Sequence, residues 1–430
     1  MRLLYNILFP VLFLLAAPFY CWKLVRRGNW RAGFAQRFGA YGELTEQLKN
    51  QRVIWLHAVS VGEANLAVQL VERLQAADSE SVYVVSTTTT TGMGVLQRRL
   101  QAGVSAVYYP IDWLPFLKRA FKALNPAAVV LVEAEIWPNL FWEAETRSVP
   151  MTLVNARLSE RSFRGYQRFG LLFRPLFRSL CAAGVHHETD ARRLESLGTR
   201  PEVISVTGNL KFDGAPGGIL SDCDVRGILH QLNVPAAAPV LVAGSTFEGE
   251  ELLMAELLPR WRKVAPDLFL VIVPRHFERG AAVQEQLRSA GWKVARRTEL
   301  DKAPSQPDVL LVDSTGELTA FYEMATLVFV GKSLTAQGGQ NPIEPAALGR
   351  PMVFGPFMQN FRAVVLELLQ AEAARQVQDE VDLAETVEFL MENPTEREAL
   401  GKAAQSVVEA NKGATQRTAD MLGQPLRALN

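Results

Sequence analysis

The sequence predicts an α/β protein made of two Rossmann-like halves, and three observations carry that reading. Short apolar runs alternate with helical patterns twice over, first from Arg52 to Asn209 and again from Val240 to Gly355. Strands that alternate with helices imply a parallel sheet covered on both faces. Between the two sets, Gly214 to Pro239 changes character, with Ala-Pro-Gly-Gly and Pro-Ala-Ala-Ala-Pro flanking a short polar helix, the mark of a domain boundary. The 430 residues suffice for two domains with real cores. The expected division is an N-terminal anchor over 1–24, a first domain over 25–213, a linker over 214–238 and a second domain over 239–430.

The N-terminus departs from a soluble pattern. Leu3 to Trp22 carries no charge, and its length is about that of a bilayer span of roughly 20 residues. Pro10 and Pro18 interrupt it, which leaves a kinked span and a shallow interfacial helix both open. Lys23, Arg26, Arg27, Arg31 and Arg37 follow, with Trp22 and Trp30 among them, and place the C-terminal side in the cytoplasm. A cleaved signal peptide would concentrate its charge before the apolar run, where only Arg2 stands. The expectation is an uncleaved anchor holding a cytoplasmic body at an anionic membrane surface.

Composition excludes several partners. Lysine plus arginine and aspartate plus glutamate each number 45, so no net charge argues for nucleic acid. Cys21, Cys181 and Cys223 are widely spaced, form no metal-ligand pair and suggest a reducing compartment. His186-His187 reads as polar residues at a strand end rather than as a metal pair. No G-x-x-x-x-G-K-[ST] loop, G-x-G-x-x-G, H-E-x-x-H or G-x-S-x-G is present. The phosphate-binding equipment thus lies in the second half, unlike a dehydrogenase.

In chain order, Arg52 to Ser60 is an apolar strand, followed by a helix with Leu66, Leu70 and Leu74 at spacing four. Val82 to Ser86 is the next strand and runs into Thr87 to Thr91 and Gly92-Met93-Gly94. A helix near Leu114 to Leu124 leads to strands at Ala127 to Glu133, Met151 to Asn155, near Val185, and at Val203 to Asn209. The second set has strands at Val240 to Ala243, Leu268 to Val273, Val309 to Val312, Leu327 to Val330 and Met352 to Gly355. The tail after Glu385 is helical and amphipathic and is assigned to the second half. Ligands are expected where strand carboxyl ends face an inter-domain cleft.

The strand ends carry the candidate residues. Glu63, in H-A-V-S-V-G-E after the first strand, can accept a proton from a substrate hydroxyl, or merely favour a helix dipole as a first-turn acid. Glu133 and Glu135 end a very apolar strand beside Trp-Pro-Asn, and at least one of them should face the cleft. Asn155-Ala156-Arg157 and Thr207 to Asp213, with Lys211, crowd polar groups after later strands. In the second half, Ser245 and Thr246 suit either a helix cap or a phosphate. Arg275 and His276 suit a nucleotide base or phosphate. Ser314-Thr315-Gly316-Glu317 repeats the strand-end theme. From Gly331 to Phe361 a strand, a glycine loop and Asn341-Pro342-Ile343-Glu344 follow, with Asn341 as N-cap and Pro342 first in the helix. That order makes either an anion site or a simple cap.

Seven motifs in order, H-A-V-S-V-G-E, E-A-E-I-W-P-N, N-A-R-L-S-E-R-S, T-G-N-L-K-F-D, A-G-S-T-F-E-G-E-E, V-P-R-H and G-G-Q-N-P-I-E-P-A-A, resemble the 3-deoxy-D-manno-octulosonic acid (Kdo) transferases of lipopolysaccharide synthesis. The resemblance covers nearly the whole chain. It implies a GT-B glycosyltransferase fold, CMP-Kdo as donor, and a lipid A precursor as acceptor at the cytoplasmic face of the inner membrane. It also implies an inverting transfer with neither metal nor cofactor. By that resemblance Glu63 is the general base. Arg275, His276, Asn341 and Glu344 hold CMP, with Ser245, Thr246 and Ser314 to Glu317 nearby, and Glu133, Glu135, Asn155, Arg157 and Lys211 serve the acceptor or support catalysis. The chain departs from the family pattern at Ala134 (usually Thr), Phe247 (usually His), Lys332 (usually Gly), Gln340 and Phe357 (both usually His). These departures bear on donor specificity. The rival readings are another nucleotide-sugar transferase or epimerase of the same fold, and a non-catalytic membrane-tethered scaffold.

Overall fold

The computed structural model describes residues 1–26, 31–133, 136–214 and 223–427. It divides into two compact units, the first Met1–Gly214 together with Gly413–Asn430, the second Ala215–Lys412.

In the first unit seven parallel strands form one sheet: β1 (Val53–His57), β2 (Val82–Thr87), β3 (Val104–Tyr108), β4 (Pro126–Val132), β5 (Met151–Ala156), β6 (Leu180–Val185) and β7 (Ile204–Val206), in the order 3-2-1-4-5-6-7. Every residue of β1 is buried, which is why these strands read as unbroken apolar runs and not as alternations. The two-residue period then sorts them. Val53 and Trp55 enter one core cluster with Phe121, Val129 and Leu131, while Ile54 and Leu56 enter another with Leu66, Leu70 and Val130. β3 was not anticipated; it is an edge strand, half-buried over its first three residues, and V-S-A-V-Y makes no apolar run.

The expectation that the whole helical tail stays with the second domain is corrected. Ala414, Ala419 and Leu422 of the helix Ala414–Arg427 join the first unit's core beside Leu66 and Leu70. Asp213 caps that helix by accepting the Gly413 and Thr415 N–H groups, each at 2.6 Å. Arg417 Nε donates to the Thr207 carbonyl at 3.0 Å. An amphipathic period shows that one face is buried but not against which neighbour. Replacing Asp213 by Ala is expected to remove about 1 kcal/mol of stability and to speed amide exchange over 413–427, which hydrogen-exchange mass spectrometry would register.

The N-terminal segment is a helix, Arg2–Arg26, with Pro10 and Pro18 inside it. Its first turns are tied to the first unit. Tyr5 donates to the buried Asp112 carboxylate at 2.8 Å, Asn6 Nδ2 donates to Asn139 Oδ1 at 2.9 Å, and Arg2 pairs with Glu145. The Asn139 and Leu140 N–H groups hold Asp112 from the other side. Leu3, Leu4, Ile7, Leu8, Val11, Leu12, Leu14 and Leu15 are exposed. Among the described residues no helix is long and apolar enough to cross a membrane. Of the two forms the sequence left open, a kinked span is thus not found among the described residues, and the polar Tyr5 and Asn6 bind the helix start to the protein. Arg37, expected in a surface collar, turns inward: it donates to the Thr88 carbonyl at 3.0 Å and lies over the Tyr108 ring at 4.2 Å. Residues 27–30, which include Arg27 and Trp30, lie outside the described residues.

The second unit holds β8 (Val240–Thr246), β9 (Phe269–Pro274), β10 (Val294–Arg296), β11 (Val309–Leu311), β12 (Leu327–Val330), β13 (Met352–Phe354) and β14 (Arg375–Gln376), in the order 10-11-9-8-12-13-14. β10 and β14, of three and two residues, are too short to leave a periodic signal. Each sheet reverses its winding once, between β1 and β4 and between β8 and β12. At such a reversal the loops leave in opposite directions and open a crevice at the strand carboxyl ends, where α/β folds bind ligands.

Candidate active site

In the first unit, Glu63 stands at the β1 side of that reversal, in the first turn of the helix Val61–Ala77. Ser60 caps this helix by accepting the Glu63 N–H at 3.3 Å, and Glu63 Oε2 accepts the Val59 N–H at 2.7 Å. This is close to a capping box, so the bland reading of Glu63 is a real part of its geometry. It does not exhaust the residue, because a carboxylate offers about four acceptor positions.

The Val59 peptide is clamped from its other side, where its carbonyl faces the hydroxyls of Thr87, Thr88 and Thr89 at 3.2, 3.3 and 3.3 Å. A Cβ on Gly92 would stand 2.6 Å from Thr87 Oγ1 and 2.8 Å from Thr89 Oγ1, so only glycine lets this threonine run close on the loop. The threonines thus hold the loop that carries Glu63.

At the β4 side, Glu133 adopts φ +62° and pairs with Lys211, Oε1 to Nζ at 3.1 Å. Asn155, at the end of β5, has φ +54°. Its Oδ1 accepts the Leu210 N–H at 2.9 Å and lies 2.8 Å from His186 Nε2. Two neighbouring strands therefore end in left-handed non-glycine residues, which costs of order 1–3 kcal/mol each and gathers at functional sites. Arg157 and Lys211 lie close enough to His186 to depress its protonation. The structure thus brings Glu133, Asn155, Arg157 and Lys211 to one place, while Glu135 and Ala134 lie outside the described residues.

Sequence reasoning did not single out His57 or His186 as site residues. His57 is fully buried, with Nδ1 3.0 Å from Ser86 Oγ and its ring stacked on Tyr109 at 3.9 Å. Burial pushes both histidines down from 6.5 to about 3. A lowered histidine leaves stability intact above pH 6.5 and removes it as pH falls toward 3. Asp112 acts in the opposite sense: burial pushes it up from 3.8 to about 7, and its contribution is lost as pH rises through that window. The thermal midpoint of the wild type is expected to fall between pH 6.5 and 4, and replacing His57 and His186 by Gln should reverse the sign of that slope.

In the second unit the reversal lies between β8 and β12, whose ends nearly touch: a Cβ on Gly331 would stand 2.5 Å from the Ser245 carbonyl oxygen. Ser245 adopts φ +53°. Thr246 is fully buried and donates to Glu251 Oε1 at 3.2 Å, so its hydroxyl braces the loop and is not presented to a ligand. Glu250, which sequence reasoning passed over, is the hub. Its carboxylate accepts the N–H groups of Phe247, Lys332, Ser333 and Leu334 at 2.9, 2.7, 2.9 and 3.0 Å.

After β9, Arg275 and His276 are exposed. His276 meets Phe247 edge-on at 5.9 Å. Glu344 accepts from Asn341 Nδ2 at 3.0 Å; burial pushes it up, while Asn341 and the nearby Arg275 oppose this. Asn341 Oδ1 also accepts the Ile343 N–H at 3.0 Å, but the helix there is Ile343–Ala347, starting one residue later than read and only five residues long. Such a helix has little dipole, so the side chains and not its N-terminus define this site. Glu317 is held by the Ser314 hydroxyl and by Arg297 at 2.7 Å, with Thr315 exposed and Gly316 at φ +84° making the turn.

The family model described as 3-deoxy-D-manno-octulosonic-acid transferase (kdotransferase) matches residues 32–214. The 3-deoxy-D-manno-octulosonic acid transferase of Haemophilus influenzae is 31% identical over 93% of this chain and 92% of its own. That of Bordetella pertussis is 33% identical over 94% of each. Among solved structures, the MurG of Acinetobacter baumannii matches with TM-score 0.54 at 14% identity, over 87% of this chain and 99% of its own. At that identity the likeness shows the fold alone, and the two parallel-sheet α/β domains are of the kind found in GT-B glycosyltransferases. The chain belongs to the 3-deoxy-D-manno-octulosonic acid (Kdo) transferase family and is a glycosyltransferase that transfers Kdo.

Proposed function

We propose that the donor is CMP-Kdo, that the acceptor is a lipid A precursor of the lipid IVA type, and that Glu63 is the general base. The observation that carries this is the placement of Glu63 and the Glu133–Lys211 pair on the two sides of the first sheet's reversal point. Glu63 takes the proton of an acceptor glucosamine hydroxyl as its oxygen attacks the Kdo anomeric carbon with inversion; the bond to the phosphate oxygen breaks and CMP departs. Glu133, Lys211, Asn155 and Arg157 orient the acceptor. In the second unit, Arg275 and His276 take the phosphate or base. Glu344, steadied by Asn341, takes ribose hydroxyls, which a carboxylate accepts where it would repel a phosphate. The Ser314–Glu317 loop is assigned to the same donor site.

The N-terminal helix is assigned to the cytoplasmic surface of the inner membrane. Its exposed leucine-rich face, with Leu3 at 76% and Leu15 at 75% exposure, suits an interfacial helix. Product mass spectrometry after incubation with CMP-Kdo and a tetraacylated lipid A precursor tests donor, acceptor and the number of transfers together. Absence of any product gaining a Kdo mass overturns the reading. Deleting residues 1–22 should release the protein from membranes and leave CMP binding intact.

A further inference from the structure

We propose that Lys332 is a specificity-determining residue that takes an anionic group of the nucleotide-sugar donor. The proposal rests on the CMP-Kdo reading above and adds to it a contact that no motif predicts. Lys332 is the second residue after β12, on one side of the reversal point of the second sheet. It adopts φ +54°, a left-handed conformation that glycine enters freely and lysine does not. A long charged side chain in such a position is a local conflict that the surroundings must enforce.

They do enforce it. The Lys332 N–H donates to Glu250 Oε2 at 2.7 Å, and its carbonyl accepts the Gly339 N–H at 2.8 Å. The side chain is steered as well. Its Cε lies 3.6 Å from where a Cβ on Gly338 would stand, and its ammonium sits over the Phe247 ring at 4.9 Å. Phe247 in turn is braced edge-on by His276 at 5.9 Å. The ammonium is thus held on an aromatic platform between the ends of β8, β9 and β12. Among the described residues it forms no ion pair with a carboxylate. Glu250, whose carboxylate meets the Lys332 backbone N–H, is already engaged by four backbone N–H groups.

A cation fixed in this way, with exposed Arg275 and His276 beside the same loop ends, complements a ligand that carries more than one negative charge. A sugar-acid nucleotide offers two such groups, the phosphate and the sugar carboxylate, and both share the chemistry Lys332 would recognise.

The test compares Lys332→Gly and Lys332→Gln with the wild-type full-length enzyme. Glycine suits the backbone and removes the cation, whereas glutamine keeps the stem on Phe247 and removes only the charge. Both are expected to raise KM for CMP-Kdo about tenfold with kcat changed less than twofold, and the glycine variant should melt no lower than the wild type. CMP itself separates the two sources. If its Kd rises in both variants, the phosphate is the partner; if CMP binding is unchanged while KM for CMP-Kdo rises, the carboxylate is. Unchanged KM and Kd in both variants overturns the proposal while leaving the donor reading standing. Failure of the wild type to use CMP-Kdo at all overturns both.

Discussion

Replacing Glu63 by Gln is expected to lower kcat by about 10²–10⁴-fold while leaving the thermal midpoint and the affinity for CMP close to wild type. The isostere separates the two parts Glu63 plays. Its amide oxygen can still accept the Val59 N–H that now binds Oε2 at 2.7 Å, and its backbone N–H can still donate to Ser60. What it cannot do is take a proton. Replacing Glu63 by Ala removes both parts and should add a loss of stability of about 1 kcal/mol, the usual cost of a broken cap. The pair of variants is read by steady-state kinetics at saturating donor together with a melting curve. If the Gln variant kept more than about a tenth of wild-type kcat, general-base catalysis at this position would be untenable, and Glu63 would be a cap only.

Much of the architecture was readable from the amino-acid order because both sheets are parallel and covered. Buried strands such as V-I-W-L-H and F-L-V-I-V-P are continuous apolar runs, and glycine and polar clusters punctuate them. What stayed hidden was whatever depends on a partner far away in the chain. Asp213 looked like part of a strand-end site, yet it accepts from Gly413 and Thr415, two hundred residues on. Tyr5 and Asn6 lie unmarked within the charge-free run, yet they bind Asp112 and Asn139. Thr246 suited either a helix cap or a phosphate, yet Glu251 takes its hydroxyl in the interior. For Asp213 and Thr246, residue type and spacing marked a polar group at an interesting place. Only the fold decides whether that group turns outward to a substrate or inward to satisfy a backbone.

Glu250 shows the same limit most sharply, and its replacement is expected to have the largest effect on the second unit. It is the first residue of the helix Glu250–Trp261, where an acid normally signals nothing beyond a favourable helix dipole. Here the carboxylate is fully buried and accepts four backbone N–H groups, one from the β8 loop and three from the β12 loop. It is the pin that holds the two loops at the reversal point. Replacing it by Ala leaves four donors without their acceptor. Because Phe247, Lys332 and Leu334 are only half-buried, water can recover part of the loss, and the cost is expected near 3 kcal/mol, not the sum of four desolvated amides. Gln is no remedy: its NH₂ group would face N–H donors where an oxygen now accepts two of them. Both variants should therefore melt several degrees lower, and CMP affinity should fall more than tenfold because Phe247, Lys332 and the glycine loop lose their common anchor. A denaturation series with and without CMP measures both quantities. An Ala variant with wild-type stability and wild-type CMP binding would show that the loops hold their positions without this carboxylate.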